Sequence, residues 1–149
     1  MSPIPIYDGK LWSPHFVFLA DTTLSDRALL SLFRLGNYVP TATADLSLDY
    51  LGISRDEAWT HIVDNFGYTH WHSKVFSRHF ASLSGRMDVF YFMMGDSDMS
   101  FELSLYRRGS LVRHVRWDDP HYTGGHLVAD FGTPLEFEES ISRGRDPYD

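Results

Sequence analysis

Residues 88–117, "DVFYFMMGDSDMSFELSLYRRGSLVRHVRW", contain three strand-like segments in immediate succession. The segments are 88–94, 99–106 and 110–117, and each carries aromatic or β-branched side chains, which favour extended backbone. They are separated by "GDSD" and "RRG", and Gly and Asp are residues that tight turns use. We therefore predict an antiparallel meander at the centre of the fold.

The two turns predict which side chains share a face of this meander. A four-residue turn over 95–98 pairs Met94 with Met99, and a three-residue loop over 107–109 with a left-handed glycine continues the pattern. The resulting face is apolar apart from one arginine, Arg113, and we expect it to face the core. Its apolar members are Phe90, Phe92, Met94, Met99, Phe101, Leu103, Leu105, Leu111, Val115 and Trp117. Arg113 needs an anionic partner there, either a bound ligand or an acid such as Asp96, Asp98 or Asp130.

The opposite face of the meander collects polar side chains, which we expect to face solvent. Its two predicted cross-strand rows are Tyr91–Glu102–His114 and Met93–Ser100–Arg116. Such a face is either a working surface or an ordinary solvated side of a sheet, whose cross-strand pairs each contribute up to about 1 kcal/mol. As a working surface it offers recognition by aromatic and charged groups, or acid–base chemistry at a histidine oriented by a carboxylate.

The remaining patterns complete the predicted fold class. Strands are predicted over 15–20, 41–51 and 126–131, and helices over 23–36, 54–67 and 70–84. Ser or Thr with an acidic residue three positions later marks the first two helix starts, at Thr23 and Ser54. Together these elements predict an α+β fold, an antiparallel meander of three to five strands packed against about three helices. One domain is expected over 1–135, followed by a frayed acidic tail over 136–149.

Composition excludes several classes of function. The net charge is −7, from 20 acidic and 13 basic residues, which disfavours nucleic acid and anionic membranes as partners. No segment has the length and hydrophobicity of a membrane span or a signal peptide. Cysteine is absent, so disulfides and thiolate metal sites are excluded, and a cytoplasmic location is expected. The histidines of "HWH" at 70–72 lack metal-ligand spacing, and no cofactor or metal motif is found.

The stretch from Phe90 to Asp119 resembles a pattern in small bacterial immunity proteins, the partners of polymorphic or type VI-secreted toxins. The shared features are an aromatic strand, a "GD-x-D" turn, an amphipathic strand and a "G-x-L-V-R" strand. The resemblance implies a non-enzymatic cytoplasmic inhibitor that binds one toxin or effector protein and covers its active site. It transfers no individual binding residue.

The leading hypothesis from the sequence is therefore an immunity-type inhibitor of a toxin that is basic at the contact. The predicted partner-binding residues are Tyr91, Glu102, His114, Arg116, Asp96, Asp98, Asp118 and Asp119. The alternative is a small enzyme or ligand-binding module that uses His114, Glu102 and Tyr91. An enclosed pocket beside His114 would favour this alternative. A third hypothesis is a structural subunit whose aromatic surplus mediates self-association. The sequence leaves the oligomeric state open.

Overall fold

Antiparallel strands build most of the fold, which we describe from a computed structural model. It describes residues 14–36, 38, 51–65, 74–95, 100–119 and 124–138. Seven strands within these residues form one antiparallel sheet, in the spatial order β2-β3-β1-β4-β5-β6-β7. They are β1 (Pro14–Leu19), β2 (Leu51–Arg55), β3 (Thr60–Asn65), β4 (Val89–Met94), β5 (Phe101–Arg107), β6 (Ser110–Asp118) and β7 (His126–Gly132). The helices are α1 (Asp26–Leu32), α2 (Lys74–Leu83) and a single turn at 136–138.

The predicted α+β class, a meander of three to five strands packed against about three helices, is wrong. The sheet has seven strands and dominates the described part of the chain, and its helices are short. The main cause is the segment 51–65, which forms the β2–β3 hairpin instead of a helix. The side chain of Asp56 accepts the N–H groups of Ala58 and Trp59 at 2.8 and 2.7 Å, which builds a turn where a helix was expected. Ile62 and Val63 are both buried, on opposite faces of β3, and such contiguous burial imitates a helical pattern.

Other predicted elements are confirmed with shifted ends. The strands β1, β4, β5, β6 and β7 lie within two residues of their predicted positions. The first helix is capped by Ser25, whose Oγ accepts the N–H of Ala28 at 3.2 Å, while Thr23 donates to Asp21. The third predicted helix is confirmed over Lys74–Leu83, and residues 66–73 and 37–50, apart from Tyr38, lie outside the described residues.

Both hairpins of the meander differ from the predicted register. Met94 lies opposite Phe101 rather than Met99, a shift of two residues that leaves each side chain on its predicted face. The second turn contains two residues, Arg108 and Gly109, both with positive φ, and a bulge follows it. Because the turn has two residues rather than three, Leu111 pairs with Tyr106 and faces away from the predicted core side, and the bulge returns the rest of β6 to its predicted faces.

The helices cover the side of the sheet that was expected to face solvent. Phe80 of α2 contacts Tyr91 and Tyr106, with ring centroids 5.8 and 5.7 Å apart, and all three side chains are buried. The main buried cluster on this helix side consists of Val17, Leu19, Leu29, Phe33, Ile62, Phe80, Leu83, Val89, Tyr91 and Tyr106. The prediction that the Phe90 face alone forms the core is therefore wrong. Tyrosines bury their rings while their hydroxyls find partners, so a row that looks polar in the sequence lies under a helix.

The other side of the sheet carries a buried ionic cluster around Arg113, which is 3% exposed. Its guanidinium binds the carboxylates of Asp130 and Glu138, with Nε 2.9 Å from Oε1 of Glu138. The predicted pairing with an acid is confirmed for Asp130, while Asp96 and Asp98 lie outside the described residues. Through Glu138 the arginine fixes the helical turn at 136–138, the start of the predicted tail, against the sheet.

Candidate functional site: a polar cleft beneath the second helix

A cleft of about 190 Å³ opens between α2 and strands β4, β5 and β6. We call this cavity the polar cleft. It is lined by Ser77, Phe80, Tyr91, Glu102, Ser104, Tyr106 and Arg116. The sheet supplies the floor because alternate residues of β4 to β6 point to the helix side, and α2 supplies the roof. Three predicted site residues, Tyr91, Glu102 and Arg116, therefore meet in one cavity.

The rows across the floor differ from the predicted rows. Because of the two-residue shift in register, Ser104 lies between Tyr91 and His114, and Glu102 lies between Met93 and Arg116. The predicted relay Tyr91–Glu102–His114 is therefore wrong as a cross-strand row. Nδ1 of His114 is 2.9 Å from Oγ of Ser104 but 3.9 Å from Oε1 of Glu102. Ser104, not Glu102, orients the histidine ring.

Neutral hydroxyl groups form the deep part of the cleft. Oη of Tyr91 is 2.8 Å from Nδ1 of His15, and both side chains are buried. The hydroxyl of Tyr106 forms side-chain hydrogen bonds with Ser77 and Ser104. Burial raises the pKa of Tyr91 and that of Tyr106, and the nearby negative charge of Glu102 acts in the same direction. Both phenols therefore stay protonated at neutral pH and serve as hydrogen-bonding groups rather than bases.

The charged groups of the cleft lie nearer its mouth. The Arg116 guanidinium is held by Asp118 through two hydrogen bonds of 2.9 and 3.0 Å, so the two groups form a bidentate ion pair. The side chain of Glu102 is 25% exposed, and within the described residues no donor hydrogen-bonds its carboxylate. The cleft thus contains one carboxylate whose hydrogen-bonding capacity is unused by the described part of the chain.

Of the four predicted aspartates, the structure describes Asp118 and Asp119. Asp119 is 7% exposed, and its N–H donates to Oγ of Ser100 at 3.2 Å, so its role is structural. Asp118 is committed to Arg116. Asp96 and Asp98 lie outside the described residues.

Sequence analysis missed three contributors to the site. Phe131 of β7 lies opposite His114 on the same face and is 55% exposed. Ser77 projects from α2, and His15 comes from β1 at the centre of the sheet. The helical periodicity around Phe80 was a usable signal for Ser77, three residues earlier on one helix face. The position of His15 follows only from the strand order.

Removing the Tyr91 hydroxyl tests whether the deep network stabilises the fold. We expect Tyr91→Phe to lower the free energy of unfolding by about 1–3 kcal/mol, because His15 loses a partner in a buried environment. Urea denaturation followed by circular dichroism measures the change. A loss below about 0.5 kcal/mol would show that the hydrogen bond contributes nothing net.

No protein family matches the chain, and no curated protein or solved structure is significantly similar to it. Among the residues that the structure describes, no group of three or more histidines and carboxylates is placed to hold a metal ion. None of the helices described is long and apolar enough to cross a membrane. Function must therefore be argued from the site itself.

Proposed function

We propose that the protein is a non-enzymatic, protein-binding inhibitor of the bacterial immunity type, acting in the cytoplasm. In this proposal it binds a cognate toxin and covers the toxin's active site. The observation that supports it best is a contiguous surface on the helix side of the sheet, formed by Glu102, His114, Arg116 and Phe131. We call this surface the recognition patch.

The recognition patch has the composition of a protein-binding hot spot. Phe131 is 55% exposed, and neighbouring pairs across β5, β6 and β7 connect it to the charged residues. Exposed aromatic rings beside arginine are typical of residues that dominate binding energy. The net charge of −7 favours encounter with a basic partner.

The chemistry of the site favours binding over catalysis. Ser104 is 2% exposed and already hydrogen-bonded to His114, so a substrate carbonyl cannot reach its oxygen without rearrangement. The two tyrosines of the cleft have raised pKa values and remain neutral. A positioned nucleophile with a base is what hydrolytic catalysis needs, and these residues supply hydrogen bonds instead.

One specific observation favours a second candidate, a small-ligand-binding module. The polar cleft is enclosed by α2 rather than flat, and it lies next to His114 through Ser104. A pocket with few convergent polar groups is the usual form of a ligand site. The two candidates share residues, because Glu102 and Arg116 of the recognition patch also line the polar cleft.

A growth assay tests the proposed function. The products of the two adjacent reading frames are expressed in a bacterial host, alone and together with this chain. We expect one product to stop growth and this chain to restore it by direct binding. The double variant Arg116→Ala/Phe131→Ala is expected to weaken the complex by at least 100-fold, as for two hot-spot residues of about 2 kcal/mol each.

A matched control is Phe137→Ala, which removes a ring of similar exposure, 46%, on the other side of the sheet. This variant should protect like the unmodified protein. The proposal fails if neither neighbouring product is toxic, if the chain does not restore growth, or if the double variant protects as well as the control.

A further inference from the structure

We infer that the polar cleft receives a guanidinium group, and that an arginine side chain of the partner protein supplies it. The second half of this inference rests on the proposed function. The first half concerns the chemistry of the cleft alone, which follows from its size, its charge and its walls.

The size of the polar cleft suits a side-chain head group. Its volume is about 190 Å³. A cavity of roughly 150 Å³ is known to admit a ligand as large as benzene, and a planar guanidinium is smaller than that ring. The mouth lies at Glu102 and Arg116, which are both partly exposed, so a side chain from another protein can enter from solvent.

The charge of the polar cleft favours a cation. The guanidinium of Arg116 interacts with both Asp118 and Glu102, so these three groups carry a net charge of −1, and the carboxylate that lines the cleft is that of Glu102. Its two oxygens have no hydrogen-bond donor among the described residues, and a guanidinium presents two parallel N–H groups that match a carboxylate. A phosphate or carboxylate ligand would instead meet the like charge of Glu102 at close range.

The walls of the polar cleft select a flat cation over a compact one. The rings of Phe80, Tyr91 and Tyr106 lie 5.7–5.8 Å apart in neighbouring pairs and form an aromatic lining. Guanidinium planes stack on aromatic faces, whereas an ammonium is more strongly hydrated and gains less by entering. The hydroxyl oxygen of Ser77, an exposed residue of the lining, provides an acceptor for N–H groups that point away from Glu102.

A titration with small probes tests this inference without any partner protein. The probes are N-acetyl-arginine methylamide, its neutral citrulline isostere and the corresponding lysine derivative, with binding followed by NMR shifts of the backbone amides of β4 and β5. We expect saturable binding of the arginine probe, at least tenfold tighter than that of the other two. Glu102→Gln should weaken binding of the arginine probe at least tenfold, while Glu136→Gln, a change at an exposed acid of the 136–138 turn, should leave it unchanged.

Thermal unfolding of both variants is the check that they remain folded. The inference is overturned if the arginine probe does not saturate, if citrulline binds equally well, or if Glu102→Gln binds like the control. These outcomes differ from failure of the proposed function, since the titration contains no toxin. If the chain binds the arginine probe but gives no protection in the growth assay, the guanidinium group does not come from a partner protein. The site would then be assigned to a free guanidinium compound.

Discussion

Replacing Arg113 with alanine is expected to lower the free energy of unfolding by about 3–5 kcal/mol. The side chain is 3% exposed and lies on the face of the sheet opposite the polar cleft. It binds Asp130 and Glu138 and also donates to the backbone oxygens of Phe131 and Gly132, at 2.9 and 3.3 Å. Its removal leaves the Glu138 carboxylate, whose side chain is 17% exposed, without its counter-ion and releases the turn at 136–138.

The same ion pair predicts how stability depends on pH. The Arg113 guanidinium lowers the pKa of Glu138 below its ordinary value, so the folded state holds this proton less tightly than the unfolded chain does. The stabilisation is therefore complete above the pKa of the unfolded chain, about 4.3, and is lost as the pH falls through the folded pKa. In Arg113→Ala this acid dependence should be weaker.

Urea denaturation at neutral pH and at acid pH measures both effects. The control is Arg107→Ala, which breaks an ion pair with Asp88 at a side chain that is 51% exposed. Such a surface pair is expected to contribute about 0–1 kcal/mol. Equal losses for the two variants would show that burial of Arg113 adds nothing to its contribution.

The sequence predicted local strands better than it predicted the sheet. Aromatic and β-branched residues in "DVFYFMM" and "SLVRHVRW" identify β4 and β6 because such side chains favour extended backbone. Residues 51–65 were assigned wrongly because β3 is buried on both faces, and its contiguous apolar residues fit a helix equally well. The place of β1 between β3 and β4 depends on long-range pairing that no local pattern encodes.

The candidate site was predicted as a group of residues but not as a cavity. The alternation of side chains along each strand placed four residues on one face: Tyr91, Glu102, His114 and Arg116. A register change of two residues keeps each side chain on its face but gives it a different cross-strand partner. The sequence did not show which face α2 covers, since both faces carry aromatic residues. Because α2 covers the face that carries Tyr91, Glu102 and Arg116, these residues line the polar cleft instead of a solvated surface.

Phe80 holds α2 over the sheet, so its replacement is expected to lower the free energy of unfolding about as much as that of Arg113. Phe80→Ala is expected to lower the free energy of unfolding by about 3–5 kcal/mol. The ring is 2% exposed and contacts four other aromatic rings, at centroid distances of 5.7 to 6.4 Å. Its loss leaves a cavity between helix and sheet that rigid strands cannot fill, and α2 loses its main anchor above Tyr91 and Tyr106.

Phe131→Ala is the matched control for this change, because the same atoms are removed from a ring that is 55% exposed. It should alter stability by no more than about 0.5 kcal/mol. Phe80→Leu, which retains most of the buried volume, should fall between the two in denaturant titrations. If Phe80→Ala were as stable as Phe131→Ala, α2 would not be held by this ring, and the polar cleft would lack the fixed roof that binding of a guanidinium group requires.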